Sequence, residues 1–197
     1  MSDNTLTYYN SIAHTFAQNT INVPFTHIQD TFLEYIPTDG LILDFGCGSG
    51  RDSKYFLSKG YKVDPVDGSE ELCKIANGYT GVSVKCMLFE ELDAVEKYEG
   101  IWACASILHV EKKKLPEILK KMAVATKKNG AIYASFKYGD FEGIRNERFF
   151  TDLTEESFEE LIKDIPELVI EKMWVSADAR VERGEERWLN ILLRVLG

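Results

Sequence analysis

Three glycines follow the apolar run Leu41–Phe45 at alternate positions, Gly46, Gly48 and Gly50. Glycine accepts tight turns and has no side chain, so backbone N–H groups in such a loop can approach a ligand closely. A glycine pair alone is weak evidence, but here the loop lies between a predicted strand and a predicted helix. The segment therefore predicts a ligand-binding loop at the carboxyl end of the first strand.

A carboxylate, Asp67, ends the second apolar segment about 20 residues after Gly46, the distance at which ribose-binding acids occur in nucleotide-binding folds. There it can accept the hydrogens of both ribose hydroxyls. The alternative is a turn or helix-capping role, because Asp67-Gly68-Ser69 is typical turn chemistry. The glycine loop upstream makes ribose binding the favoured interpretation.

The glycine spacing separates classes of nucleoside ligand. A dinucleotide-binding GxGxxG pattern needs a glycine at position 51, where this chain has Arg51. The order here is GxGxG, preceded by the acid Asp44, and no GxxxxGKS or GxxxxGKT loop occurs. The pattern argues against a nicotinamide-dependent oxidoreductase and excludes a P-loop nucleotidase.

The elements that position these residues alternate between short apolar strands and amphipathic helices. The predicted strands are Leu41–Phe45, Lys62–Val66, Val82–Met87, Ile101–Ala105, Ala131–Phe136, Leu168–Val175 and Arg187–Val195. The predicted helices are Asp52–Lys59, Glu70–Ala76, Leu115–Thr126 and Glu155–Asp164. Apolar strands separated by helices form parallel sheets covered on both faces. We therefore predict an α/β, Rossmann-like, doubly wound fold with a seven-stranded, mostly parallel sheet and one antiparallel strand near an edge.

Two further segments complete the predicted organisation. Thr5–Tyr35 has a helical pattern rich in Tyr, Phe and Asn and is too short for a separate domain. We interpret residues 1–39 as a helical lid on a core of residues 40–197, together one domain. The charged connection Ser176–Gly184 is predicted to be a loop.

Composition limits the partners. The chain of 197 residues has a formal net charge of −9, which disfavours nucleic acid, and the lysine-rich stretch at Lys112–Lys114 is interpreted as a solvated face. The four cysteines form no CxxC pair, which indicates reduced, buried thiols and a cytoplasmic setting. No long apolar run or basic leader occurs, so we expect a soluble protein with no membrane contact. No cluster of histidines and carboxylates predicts a metal site.

Polar residues follow the fifth predicted strand, at the sheet edge where α/β folds bind ligands. Lys137 and Tyr138 are the favoured contacts with a substrate. Four arginines come later in the chain: Arg145, Arg148, Arg180 and Arg183. They indicate either an anionic substrate, because arginine binds anions bidentately, or pairing within the chain. The favoured interpretation is pairing with nearby glutamates: Glu142, Glu147, Glu182 and Glu185.

The order D-x-G-x-G-x-G resembles motif I of class I S-adenosylmethionine (SAM)-dependent methyltransferases, and the similarity extends over residues 40–195. The other segments that resemble this family are Phe89–Leu92, Tyr98–Val110, Asn129-Gly130 and Phe150–Thr154. The chain departs from the family at Val110, where a second histidine is usual. The strings GSGRDS and Tyr8-Tyr9-Asn10 are similar to small-molecule enzymes of the tellurite-resistance and thiopurine type.

The resemblance implies SAM as the cofactor and a methyltransferase acting on a small acceptor. The cofactor-binding residues that it implies are Tyr9, Asp44, Gly46, Cys47, Gly48, Gly50, Arg51, Asp67, Gly68, Ser69, Phe89, Glu90, Ala105 and Ser106. Asp44 would lie near the methionine amino group and Glu90 near the adenine amino group. Arg51 would either bind the methionine carboxylate or remain solvated.

Candidate catalytic residues are His109, Lys137 and Tyr138. By the resemblance His109 would face the cleft as a general base, and a satisfied structural histidine is the alternative. A base is needed only when the nucleophile carries a proton at the working pH. Other functions left open are a SAM-binding module without catalysis and a methyltransferase acting on a protein. A monomer and a homodimer are both compatible with the sequence.

Overall fold

The computed structural model describes residues 3–180 and 183–197. Its strands are β1 Leu41–Phe45, β2 Lys62–Asp67, β3 Lys85–Cys86, β4 Tyr98–Ala103, β5 Thr126–Lys137, β6 Glu142–Arg145, β7 Arg148–Thr151, β8 Leu168–Ala177 and β9 Arg187–Val195. Its helices are α1 Asp3–Thr20, α2 Thr26–Leu33, α3 Arg51–Ser58, α4 Glu70–Thr80, α5 Leu115–Ala125 and α6 Glu155–Ile162. Short 3₁₀ turns occur at Phe89–Glu91, Ile107–His109 and Lys112–Lys114.

Seven strands form one sheet in the order β3-β2-β1-β4-β5-β9-β8. Strands β1 to β5 are parallel, whereas β9 runs antiparallel between β5 and β8. The predicted Rossmann-like sheet with one antiparallel strand near its edge is therefore confirmed. The strand order reverses between β1 and β4, and the crevice outside their carboxyl ends is where such sheets bind ligands.

Buried side chains cover both faces of the sheet. On one face Phe32 of α2 and Phe56 of α3 contact Trp102, which stacks on Tyr133 with 4.1 Å between ring centroids. On the other face the apolar sides of α5 and α6 pack on the sheet, and they include Leu119 and Phe158. None of the described helices has the length and apolar content needed to span a bilayer.

The amino-terminal helical segment forms two helices with different positions. Helix α1 contributes Leu6, Tyr9, Phe16 and Thr20 to the cavity described below. Helix α2 instead buries Ile28 and Phe32 against the sheet as part of the core. Of the predicted lid, α1 is the part that lies over the ligand-binding edge.

Other differences from the predicted elements concern turns. The third strand is only Lys85–Cys86, and Ala105, predicted to end the fourth strand, has a φ of 50° and lies in a turn. Strand β8 extends to Ala177, so the described part of the predicted loop begins after it. The hairpin β6–β7 was not predicted at all, and its strands form a separate two-stranded sheet.

Candidate active site

The glycine loop is held between the end of β2 and the turn after β4. The N–H groups of Gly46 and Cys47 both donate to the Val66 carbonyl at 2.9 Å. Gly46 has a φ of 92°, and a Cβ atom there would lie 2.4 Å from the Cβ of Ser106. The loop therefore requires glycine at this position, and Ser106 is locked in turn by donating to the Phe45 carbonyl at 2.6 Å.

Asp67 joins the glycine loop to the next turn. Its Oδ2 accepts the Gly48 N–H at 2.9 Å, and its Oδ1 accepts the Ser69 N–H at 2.8 Å. Burial raises the pKa of this carboxyl above its ordinary value. Each oxygen has accepted one N–H group and keeps a lone pair for a further donor. Asp67 is thus a turn residue that also lines the cavity, and its binding of a ribose stays a prediction.

A cavity of about 630 Å³ follows the carboxyl ends of the central strands. Most of the predicted site residues line it, namely Tyr9, Gly46, Cys47, Gly48, Arg51, Asp67, Gly68, Ser69, Phe89, Ala105, Ser106, His109, Lys137 and Tyr138. Residues that the sequence did not single out also line it: Leu6, Thr20, Val23, Phe25, Leu72, Cys104, Leu108, Ser135, Trp188 and Asn190. The signal available for the α1 residues was the aromatic and apolar pattern of the predicted lid.

Three predicted cofactor-binding residues lie outside the cavity lining. Asp44 is buried beneath the loop and accepts the Ser53 hydroxyl at 2.5 Å, and burial together with nearby Asp52 raises its pKa to about 8. Gly50 is the residue before helix α3 and packs against α4. Glu90 lies in the 3₁₀ turn Phe89–Glu91, in which Phe89 is the residue that lines the cavity. Asp44 and Gly50 therefore support the glycine loop without lining the cavity.

Arg51 is held by a neighbouring carboxylate and is not solvated, and its binding of the methionine carboxylate stays a prediction. Its Nε and Nη2 donate to Asp52 at 2.7 and 2.9 Å, and its guanidinium lies 4.6 Å from the centroid of the Phe25 ring. Burial disfavours the charged guanidinium, but Asp52 more than offsets this and raises the pKa of Arg51. Asp52 also accepts from Gln29 at 2.7 Å and Trp102 at 2.9 Å. Arg51 is therefore a fixed part of the cavity wall.

Half-buried Tyr9 and buried His109 form a hydrogen-bonded pair. His109 Nδ1 lies 2.6 Å from the Phe149 carbonyl, which can only accept, so Nδ1 carries the hydrogen. In the neutral ring Nε2 then accepts the Tyr9 hydroxyl at 2.9 Å. Burial lowers the pKa of His109 to about 4, so the ring is neutral at neutral pH. Both ring nitrogens are satisfied, as in the structural interpretation of this residue.

The cationic residues of the cavity are mostly paired with carboxylates. Lys137 pairs with Glu186 and lies over the Trp188 ring, and burial lowers its pKa to about 8. The arginine pairs are Arg145–Asp152 at 2.6 Å, Arg180–Asp178 at 2.7 Å and Arg183–Glu186 at 3.8 Å. Pairing within the chain is thus observed, but the partners are not the predicted glutamates. Glu182 lies outside the described residues.

Arg148 differs from these residues. Its Nη1 lies 3.5 Å from the Tyr9 hydroxyl, and its guanidinium lies over the rings of Tyr8 and Phe150. Its Nε is buried and has no hydrogen-bond partner in the part of the chain that the structure describes. Asp152 Oδ1 is likewise buried and has no donor among the described residues.

Residues 42–130 match the model of a family described as the methyltransferase domain. That match covers 89 of the 197 residues, and over it the chain is similar to methyltransferases. The methyltransferase uses SAM as its cofactor, and the lining fits it, since the glycine loop lies beside a carboxylate with free lone pairs and the apolar Phe89. No curated protein matches the sequence at a significant level.

Solved structures share the fold of the methyltransferase at low sequence identity. The 1,6-didemethyltoxoflavin-N1-methyltransferase of Burkholderia thailandensis has 19% identity and a TM-score of 0.80, over 98% of this chain and 88% of that chain. A SAM-dependent methyltransferase of Methanosarcina mazei has 19% identity and a TM-score of 0.73, over 88% of this chain and 98% of that one. A SAM-dependent methyltransferase of Clostridium acetobutylicum has 17% identity and a TM-score of 0.69, over 96% and 100%.

Proposed function

We propose that the methyltransferase acts on a small-molecule acceptor bound between Tyr9 and the β6–β7 hairpin. The observation that carries this proposal is the roof of the cavity. Tyr9 donates to His109, and Thr5 Oγ1 accepts the Phe149 N–H at 3.1 Å, so α1 is joined to β7 above the sheet edge. The cavity volume of about 630 Å³ lies in the range of small-molecule sites, from roughly 300 to 1,000 Å³.

A second observation supports the acceptor class. The Burkholderia thailandensis protein is named for methylation of 1,6-didemethyltoxoflavin, and its crystal contains that compound with S-adenosylhomocysteine. A protein with this fold therefore holds a small acceptor and a spent cofactor together. The further resemblance to tellurite-resistance and thiopurine enzymes stays a prediction.

SAM supplies an activated methyl group on a sulfonium sulfur, so the protein's main task is to orient the acceptor. Orientation of two reacting groups is worth roughly 7–11 kcal/mol of the barrier in favourable cases. We assign the cofactor to the wall formed by the glycine loop, Asp67 and Phe89. The acceptor then occupies the wall formed by Tyr9, Arg148 and Lys137.

Tyr9 is the residue that we place against the acceptor, with His109 as the residue that positions it. The Phe149 carbonyl fixes the His109 tautomer, and Nε2 then accepts the hydrogen of the Tyr9 hydroxyl. A free lone pair of the Tyr9 oxygen can accept an N–H, O–H or S–H hydrogen of the acceptor. With a pKa of about 4, His109 is too weak a base to remove a proton outright at neutral pH.

Two measurements test the proposal in sequence. Calorimetry with SAM, S-adenosylhomocysteine and NAD on the full chain should show binding of the first two alone, and binding of NAD without SAM would refute it. A screen of thiols, amines, carboxylates and oxyanions, with S-adenosylhomocysteine as the product detected, should then identify an acceptor. Turnover on proteins alone would contradict the small-molecule assignment, and silence with every acceptor class would favour a SAM-binding module without catalysis.

A further inference from the structure

Aromatic rings surround the Arg148 guanidinium. Its central carbon lies 4.7 Å from the Tyr8 ring centroid, 5.1 Å from that of Phe150 and 5.8 Å from that of Tyr9. Contacts with ring faces stabilise a cation and restrict the orientation of the guanidinium plane. Ring faces do not, however, provide the in-plane acceptors that guanidinium N–H groups need.

The hydrogen bonds of Arg148 are incomplete within the described residues. The contact from Nη1 to Tyr9 is long at 3.5 Å, and the buried Nε has no acceptor. In residues 3–180 and 183–197 no carboxylate lies within ion-pair distance of Arg148, although Arg145 on the neighbouring strand pairs with Asp152 at 2.6 Å. The fold thus neutralises Arg145 of the hairpin and leaves Arg148 without a carboxylate partner among the described residues.

Arg148 is half-buried, and its buried Nε–H has lost contact with water without gaining an acceptor from the described residues, which is costly. Arg148 lines the cavity, so a ligand there can supply that acceptor. The planar fork of arginine matches a carboxylate, which accepts two parallel N–H bonds. We propose that Arg148 binds a carboxylate or similar planar oxyanion of the methyl acceptor, an inference that rests on the proposed function above.

The position of Arg148 also explains what the anion would accomplish. Arg148 and His109 both contact the Tyr9 hydroxyl, one through Nη1 and the other through Nε2. An anion bound by Arg148 therefore lies next to the oxygen that we place against the acceptor nucleophile. The same contact selects for negative acceptors on a chain whose net charge of −9 otherwise repels them.

The test uses the full chain saturated with S-adenosylhomocysteine, and benzoate and benzamide as probes of equal shape that differ in charge. Calorimetry should show that the native protein binds benzoate at least about tenfold more tightly than benzamide, as expected for a charge-assisted hydrogen bond. Arg148→Gln should abolish this preference, and Arg148→Lys should retain part of it because it keeps the charge without the fork. The control is Arg194→Gln, which removes an arginine paired with Glu171 outside the cavity lining and should leave the preference intact.

The outcomes separate this inference from the proposed function. Equal affinity for the two probes in the native protein, or a benzoate preference that survives Arg148→Gln, overturns the role of Arg148 while SAM binding stands. Failure to bind S-adenosylhomocysteine in the native protein refutes the methyltransferase proposal itself. Thermal unfolding midpoints of the three variants show that a lost preference does not come from a lost fold.

Discussion

Asp67 contributes to both the architecture and the ligand surface of the site. One oxygen holds the Gly48 N–H and the other the Ser69 N–H, so the carboxylate joins the loop after β1 to the turn after β2. Asp67 also lines the cavity. If it binds the ribose as we propose, its acceptors are fixed before the ligand arrives, and preorganisation of this kind lowers the cost of binding.

Asp67→Ala should weaken SAM binding by about 10-fold to 100-fold, because hydroxyl hydrogens would lose a charged acceptor worth about 1.5–3 kcal/mol. Calorimetry with SAM measures the change. Asp64→Asn is the matched control, since Asp64 lies on the same strand but pairs with exposed Lys97. Unchanged SAM affinity in Asp67→Ala would contradict the assignment of the ribose to this wall.

His109 should make stability depend on acid pH. Its pKa is about 4 in the folded chain and about 6.5 in an unfolded one, so the unfolded state binds more protons between these values. The contribution of His109 is therefore fully present above pH 6.5 and is lost as pH falls toward 4. The expected loss is about 3 kcal/mol at pH 4.

Urea unfolding of the native chain and of His109→Asn, repeated from pH 7 to pH 4, measures this effect as the difference in free energy of unfolding. Asp44 has a raised pKa of about 8 and the opposite dependence, but both proteins contain it and it cancels in the difference. A constant difference across the range for His109→Asn would disprove the burial of a neutral imidazole.

At the scale of elements, the turn of the β6–β7 hairpin contains a residue type that its backbone geometry disfavours. Arg145 pairs with Arg148 in register, so the loop is the two residues Asn146 and Glu147, with φ of 49° and 64°. Two-residue hairpin loops with positive φ at both positions favour Asn-Gly, and a left-handed residue other than glycine costs roughly 1–2 kcal/mol. The glutamate in the second position is therefore strained.

Glu147→Gly should raise the free energy of unfolding by about 0.5–1 kcal/mol, because relief of the left-handed strain exceeds the entropy cost of glycine. Urea unfolding with an unchanged slope checks this. Glu159→Gly, the same change at an exposed position of helix α6, should lower the free energy of unfolding by roughly 0.5–1 kcal/mol. A lower stability for Glu147→Gly would show that the glutamate side chain stabilises the turn.

The elements that the sequence predicted well are those with strong apolar patterns. Strands β1, β2 and β9 and the sheet type followed from short apolar runs between helices, and the ligand loop followed from glycine spacing. The hairpin was missed because Asn146-Glu147 lacks the usual turn signal and its strands are only four residues long. The position of Ala105 was missed because its left-handed φ leaves no mark in an apolar run.

The site was predictable where backbone chemistry dictates residue type and less so where side chains meet from distant segments. Gly46 and Asp67 were identifiable because a close turn and a carboxylate have few substitutes. Tyr9 meets His109 across 100 residues of sequence and meets Arg148 across 139 residues. Patterns within one segment carry no information about such contacts.

For the molecule as a whole, the net charge is negative, whereas several positive side chains cluster around the cavity. The net charge is −9, and most of these cations are neutralised by aspartate or glutamate. Such a distribution offers a small anion a local site without offering a polyanion an extended basic surface. We therefore expect this acidic protein to bind small anions in preference to polyanions.

Short labelled DNA and RNA should therefore show no rise in fluorescence anisotropy with this protein at about 0.15 M salt, where surface charges are screened beyond roughly 8 Å. The measurement is repeated at low salt, where weak contacts with Lys112–Lys114 would first be detected. A salt-dependent rise in anisotropy at 0.15 M would reveal a basic stripe able to overcome the net charge and would reopen nucleic acid as a partner.

The roof of the cavity joins parts of the chain that are synthesised at different times. Tyr9 is made 100 residues before His109, and Thr5 is made 144 residues before Phe149, whereas the Asn10 side chain binds Ser69 after 59 residues. A growing chain can therefore dock α1 beside the glycine loop well before β7 exists, and such long-range contacts form late in folding. We therefore expect the wall that we assign to the cofactor to be completed first during translation, and the proposed acceptor wall to close only after the hairpin has left the ribosome.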